Sequence, residues 1–227
     1  MICLAGFSIG RYLCSTIGKK TLVGITGLLL SGFVLTHMLG NMLILVGAEA
    51  YNKYAHALVS NPLLPVAEIG LVVFFLIHIC LAISVTLTNR KSRKLGYSQS
   101  AEGAKATAFA AKSMILTGLL MLAFLVLHLI TFKYGAHYSI AYNAVEMRDL
   151  YRLVLEKFQE PIYFGWYVFS MVVLALHLSH GFKASFQSLG LLSSLNPKLK
   201  SVGIAFAVIV AGGFVSQPIY IFLFGGK

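Results

Sequence analysis

Charge is the scarcest commodity in this chain: 11% of its 227 residues are Asp, Glu, Lys or Arg, and only seven are acidic. Water-soluble domains average roughly 25% charged residues, so a soluble globule is excluded. The three cysteines, Cys3, Cys14 and Cys80, form neither a CxxC nor a CxxCH pattern. That excludes an iron–sulfur site or a covalently attached c-type haem built by this chain alone. There is no glycine-rich nucleotide loop, no repeat with a period of 20–50 residues and no separate soluble domain, and nothing points to nucleic acid. The first 15 residues are interrupted by Gly6, Ser8, Gly10 and Arg11. They lack the apolar core of a cleavable signal peptide, so the chain is expected to be retained whole.

What the chain has instead is long apolar runs: 58% of the residues are hydrophobic and the mean hydropathy is +0.84. Spanning helices are expected at about 20–46, 62–88, 109–132, 162–189 and 202–224, each near or above the ~20 residues that cross a bilayer. Closed barrels also cross lipid, but their short strands alternate apolar and polar residues, and these runs do not. The expected architecture is all-α: one membrane domain, 1–227, of five spans. Basic residues set its orientation. Arg11, Lys19, Lys20, Arg90, Lys91, Arg93, Lys94, Lys105, Lys112, Lys183, Lys198 and Lys200 fall in the N-terminal segment and in the loops after spans two and four, with Glu102 the one acid among them. The positive-inside rule therefore places the N-terminus in the cytoplasm and this face toward anionic lipid or a soluble partner.

Four histidines interrupt the apolar stretches. His78 and His177 each lie 16 residues after a proline, Pro62 and Pro161, while His37 lies 17 residues after Lys20 and His128 lies 16 after Lys112. Sixteen residues of helix rise about 24 Å into a core of about 30 Å. With alternating helix direction, His37 and His128 come toward the outer surface and His78 and His177 toward the cytoplasm, giving one pair at each of two depths. Intramembrane ionisable residues mark functional sites, and opposite helices of a bundle can face each other across a cofactor. Zinc would want three or four ligands at one level, whereas each level here offers two imidazoles and no carboxylate. Two axial nitrogens suit haem b, and Gly27, Gly32, Gly40, Ala82, Ser84, Gly118, Ala123, Ala175 and Gly181 near them leave room for close helix approach. His180, three residues beyond His177, is expected near a haem propionate or a helix neighbour. His137 is expected in solvent, and His56 in an outer loop with a structural or quinone-proximal role.

Gly47–His56 (GAEAYNKYAH), Thr36–Asn41 (THMLGN), His177–Phe182 (HLSHGF) and Phe186–Gly190 (FQSLG) resemble the dihaem cytochrome b anchor of succinate:quinone oxidoreductases and fumarate reductases, in the branch with a single five-helix subunit. The resemblance covers nearly the whole chain. It implies metal ligands His78 and His177 for the haem near an iron–sulfur subunit, and His37 and His128 for the distal haem. It favours His177 over His180 because the family ligand is followed four residues later by glycine, here Gly181. It further implies an electron conduit in the inner membrane, partnered by a flavoprotein and an iron–sulfur protein. The electron carrier in the membrane would be a quinone, by analogy menaquinone, with Asn41, Glu49 and His56 as candidate contacts. Lipid contact and dimerisation of the complex go with that expectation. Some fumarate reductases of the family carry a glutamate two residues before the helix-four ligand, where this chain has Ala175. Two other classes fit the histidines: an anchor for a different dehydrogenase or hydrogenase, and a transporter moving protons or metal ions.

Overall fold

The computed structural model describes residues 8–91, 113–191 and 197–225. Arg93, Lys94, Glu102, Lys105 and Lys112, Cys3, and the expected start of the third span at 109–112 lie outside the described residues. Five helices are long and apolar enough to cross a membrane. After a short α1, Ser8–Cys14, come α2, Thr16–Asn41, then α3, Ala48–Val59, and α4, Leu64–Lys91. They are followed by α5, Met114–His128, α6, Leu150–Gln159, α7, Pro161–Ser188, and α8, Pro197–Phe224. The spans are α2, α4, α5, α7 and α8. The protein is thus a multi-pass, predominantly helical membrane protein.

Local chemistry explains the starts. Ser15 caps α2 by accepting from the Gly18 amide at 3.1 Å, satisfying one of the donors a helix start leaves open. Asp149 caps α6 by accepting from the Arg152 amide at 3.1 Å. Pro161 opens α7 at its first turn, where the missing N–H costs nothing. The second span starts at Leu64 instead of Pro62, and the fourth at Pro161.

Alternating direction gives the bundle two unlike ends. At the basic end, the start of α2 meets the close of α4 and α7: Lys19 Nζ donates to Ser84 Oγ at 2.9 Å, and Gly24 lies against Ser185. Gly203 near the start of α8 lies against Ser179 and Lys183. Lys19, Lys20, Lys91, Lys183, Lys198 and Lys200 belong to this end, with no acid among the described residues there. All six described acids belong to the opposite end, and four of them are paired: Glu49 with Lys53 at 2.6 Å, Glu156 with Arg152 at 2.9 Å, Glu160 with Lys157 at 2.7 Å, and Glu68 with Lys133.

That opposite end carries a cap that the five-span expectation lacks. Short helices α3 and α6 flank a two-stranded antiparallel hairpin, Ser139–Tyr142 and Val145–Arg148. Both turn residues, Asn143 and Ala144, have positive φ, 51° and 65°, as a two-residue primed turn requires. The hairpin is a small addition to an otherwise all-helical architecture. Ile44, Tyr51, Val154, Phe158, Tyr167 and Ile221 form one buried cluster, fastening the cap to the ends of α2, α7 and α8. Asn52, fully buried, crosslinks α3 to α6: its amide donates to Asp149 Oδ1 at 2.8 Å and its carbonyl accepts from the Tyr151 amide at 2.9 Å.

Gly40, near the end of α2, gives the cap its seat. The Tyr54 ring from α3 lies so close that a Cβ at Gly40 would stand 2.7 Å from ring carbons. Gly40→Ala forces that ring or the helix to move, and overpacking of this kind costs about 1–3 kcal/mol. A lowered melting temperature of the purified protein is the expected result, with Tyr54→Ala restoring part of the loss in the double variant.

Candidate functional site

The four membrane histidines are half-buried and come from four different spans. His37 on α2 and His128 at the end of α5 are brought together: their ring centroids are 5.8 Å apart with planes at 90°. Each is backed by a phenylalanine one turn earlier. Phe33 stacks on His37 at 5.4 Å and Phe124 on His128 at 5.7 Å. His128 Nδ1 lies 3.3 Å from the Tyr167 hydroxyl on α7. Directly after His128 the helix widens into a π turn, Leu129–Lys133, a distortion frequent at functional sites. His78 on α4 and His177 on α7 lie toward the basic end, each against a glycine of a neighbouring helix.

Two residues that sequence reasoning missed hold this second pair. Thr26 Oγ1 lies 3.1 Å from His78 Nδ1, and Thr117 Oγ1 lies 3.1 Å from His177 Nδ1. The glycine next to each threonine admits the ring: a Cβ at Gly27 would stand 3.3 Å from His78 Cε1, and one at Gly118 would stand 3.4 Å from His177 Cε1. A signal for them exists in the sequence. Thr26, Gly27, Leu28, Leu29, Phe33 and His37 recur in the same order as Thr117, Gly118, Leu119, Leu120, Phe124 and His128, offset by 91 residues. Such a spacing lies beyond the 20–50 residues of a solenoid repeat. Thr26 and His37 are eleven residues apart on one helix, so the two levels are separated by roughly 16 Å along the bundle.

Other nominated residues are dispersed. Asn41 stays beside His37, one turn on: its amide donates to the His37 carbonyl at 2.8 Å and its Oδ1 accepts from the Tyr51 hydroxyl at 2.8 Å. Burial among apolar neighbours holds the Tyr51 phenol protonated, well above its ordinary pKa. Glu49 faces out in its ion pair with Lys53, and together they border a surface cavity of about 470 Å³. His56 lies on the outer part of α3 with its Nε2 3.4 Å from Ser60 Oγ, so these three residues do not converge. His180 sits on α7 half-buried, beside Lys183 at the basic end, and His137 is exposed. Gly32 faces open space and Gly181 lies 3.7 Å from Met114 Cε, measured from an added Cβ.

The nitrogen donors of paired imidazoles could hold a transition metal or a metal-bearing group. At a ring separation of 5.8 Å, His37 and His128 could hold such a group between them, with bonds of about 2 Å to each ring. Gly27 and Gly118 make the space that the His78 and His177 rings occupy. The site belongs to a class defined by its fold: a multi-pass helical bundle with paired histidines at two depths. Comparison with known proteins finds no matching protein family, curated protein or solved structure.

Proposed function

We propose that this protein is the membrane anchor and electron conduit of a succinate:quinone oxidoreductase or fumarate reductase, holding two b haems. His78 and His177 would ligate the haem near the basic end, and His37 and His128 the haem near the cap. The observation that carries this reading is the delivery of four intramembrane histidines, one per span, as two pairs at two levels. Haem supplies the single-electron chemistry. The chain supplies binding, spacing and a shielded environment.

The two ends support the division of labour. The basic end, cytoplasmic by the positive-inside rule, offers a strongly positive surface for an iron–sulfur subunit that carries electrons to or from a flavoprotein. The capped end lies one level away from it, and a quinone, menaquinone by analogy, would exchange electrons near the His37–His128 pair. Asn41 is the nominated polar residue that remains next to that pair. The membrane in question would be the bacterial-type cytoplasmic membrane. A dithionite-reduced minus oxidised absorption spectrum of the purified protein tests the reading: b-type bands with two haems per chain support it, and a featureless spectrum overturns it in favour of a transporter.

Electron flow between the ends has an electrical consequence. Among the described residues, Glu68 is the one acid within a spanning helix, and it is held at the capped end by Lys133; position 175, in the fourth span, is alanine. Among the described residues no carboxylate lies alongside the histidines, and electrons moving outward without compensating protons would cross the membrane potential at about 2.3 kcal/mol per charge per 100 mV. Succinate-driven menaquinone reduction in intact cells is therefore expected to slow when an uncoupler collapses the potential, while succinate oxidation by a soluble dye in detergent stays unchanged. Equal rates with and without uncoupler would mean a compensating proton path.

A further inference from the structure

We propose that Thr26 and Thr117 are positioning residues that hold His78 and His177 as Nδ1–H tautomers, leaving Nε2 of each ring as the nitrogen for the metal. The proposal rests on the bis-histidine reading above and goes beyond it by assigning the tautomer and the groups that set it. A threonine hydroxyl has one hydrogen to give. Thr26 Oγ1 gives it to its own helix, with the Leu22 carbonyl at 2.8 Å, and the Thr117 hydroxyl has the Ser113 and Met114 carbonyls at 3.1 Å. What remains on each oxygen is a lone pair, aimed at a ring nitrogen 3.1 Å away. With the hydroxyl hydrogen given to the helix, that nitrogen is the one that carries the ring proton.

Back-bonding to the helix by itself explains a threonine in an apolar span. It does not explain why both threonines stand at the same distance from the same ring atom. Nor does it explain why each is followed by a glycine that makes space for that ring, or why the arrangement recurs 91 residues on. The pattern also crosses between helices: α2 anchors the histidine of α4, and α5 anchors the histidine of α7. The other level is built differently, with the Asn41 amide near His37 and the Tyr167 phenol near His128. An imidazole that donates its second N–H is fixed in tautomer and orientation and becomes a more basic ligand. More basic ligands favour the oxidised metal, so removing the acceptor raises the reduction potential.

The test uses the whole complex with Thr26→Val, Thr117→Val, Thr26→Ser and Thr117→Ser. Valine keeps the branched shape and loses the oxygen; serine keeps the oxygen. In potentiometric titration followed by absorption, the valine variants are expected to shift one of the two haems upward by about tenfold in its reduction equilibrium, about 59 mV for one electron. The other haem should not move, and the serine variants should return the shifted haem to its parental potential. Potentials unchanged by valine, both haems shifting alike, or serine behaving as valine would each overturn the proposal. Failure of the reading beneath it looks different: a parent protein without haem. In that case ¹⁵N imidazole NMR still decides the tautomer, with protonated Nδ1 at His78 and His177 in the parent and its loss in the valine variants as the expected result. Unprotonated Nδ1 in the parent would overturn it.

Discussion

Under the proposed ligation, haem content is expected to fall by half when any one of His37, His78, His128 or His177 is replaced by alanine, and the haem lost should depend on the pair. His37→Ala and His128→Ala should remove the same centre, because these rings face each other at 5.8 Å and a second axial nitrogen is lost in either variant. His78→Ala and His177→Ala should remove the other. His180→Ala should retain both, since that ring sits a turn further toward the basic end beside Lys183. Pyridine haemochrome counts the haems and the residual spectrum tells which remains. A chain that lost haem on His180→Ala and kept both on His177→Ala would move the fourth-span ligand to His180.

The second large effect is expected at Asn52, far from any imidazole. Its side chain is fully buried and bonded at both ends, to Asp149 and to the Tyr151 amide. Asn52→Leu fills the space but leaves the Tyr151 amide without its acceptor and Asp149 with the Arg152 amide alone, and a buried polar group without its partner costs about 1–3 kcal/mol. Asn52→Asp should cost at least as much, because it sets a buried carboxyl against the half-buried Asp149. Both variants are expected to melt at lower temperature and to loosen the cap before the spans, which protease cleavage between α6 and α7 would register. A melting curve unmoved by both substitutions would mean that the cap is held by its apolar cluster alone.

The five spans were legible because length and unbroken hydropathy are imposed by the bilayer and need no partner. The order of the histidines along the spans was legible because position along a helix counts residues. Pairing across the bundle is another matter, since two rings 91 residues apart in sequence touch through tertiary packing. The cap was not legible. Helix α6 has only ten residues, and the hairpin turns on Asn143–Ala144, where a glycine in the second place would have announced it. Thr26 and Thr117 were hidden by their ordinariness: a threonine among leucines reads as helix filler until a ring nitrogen stands beside it. Glu49 and His56 were nominated for their polarity near the membrane surface. In the fold, Glu49 is taken up by Lys53 and His56 lies beside Ser60, and the inward-facing residues of that segment are Tyr51, Asn52 and Tyr54.

The 91-residue recurrence makes the molecule two unequal helix pairs, α2 with α4 and α5 with α7, each carrying one histidine for either level. Neither pair owns a complete centre. Under the proposed ligation both haems are therefore rivets driven through the seam between the halves, and haem capture and closure of the bundle become one equilibrium, in the way metal binding and folding merge in small metal-dependent domains. Haem supply would then set how much of the chain reaches its closed form, which makes the anchor a checkpoint: soluble partners that read the basic end would meet a finished surface only after both rivets are in place.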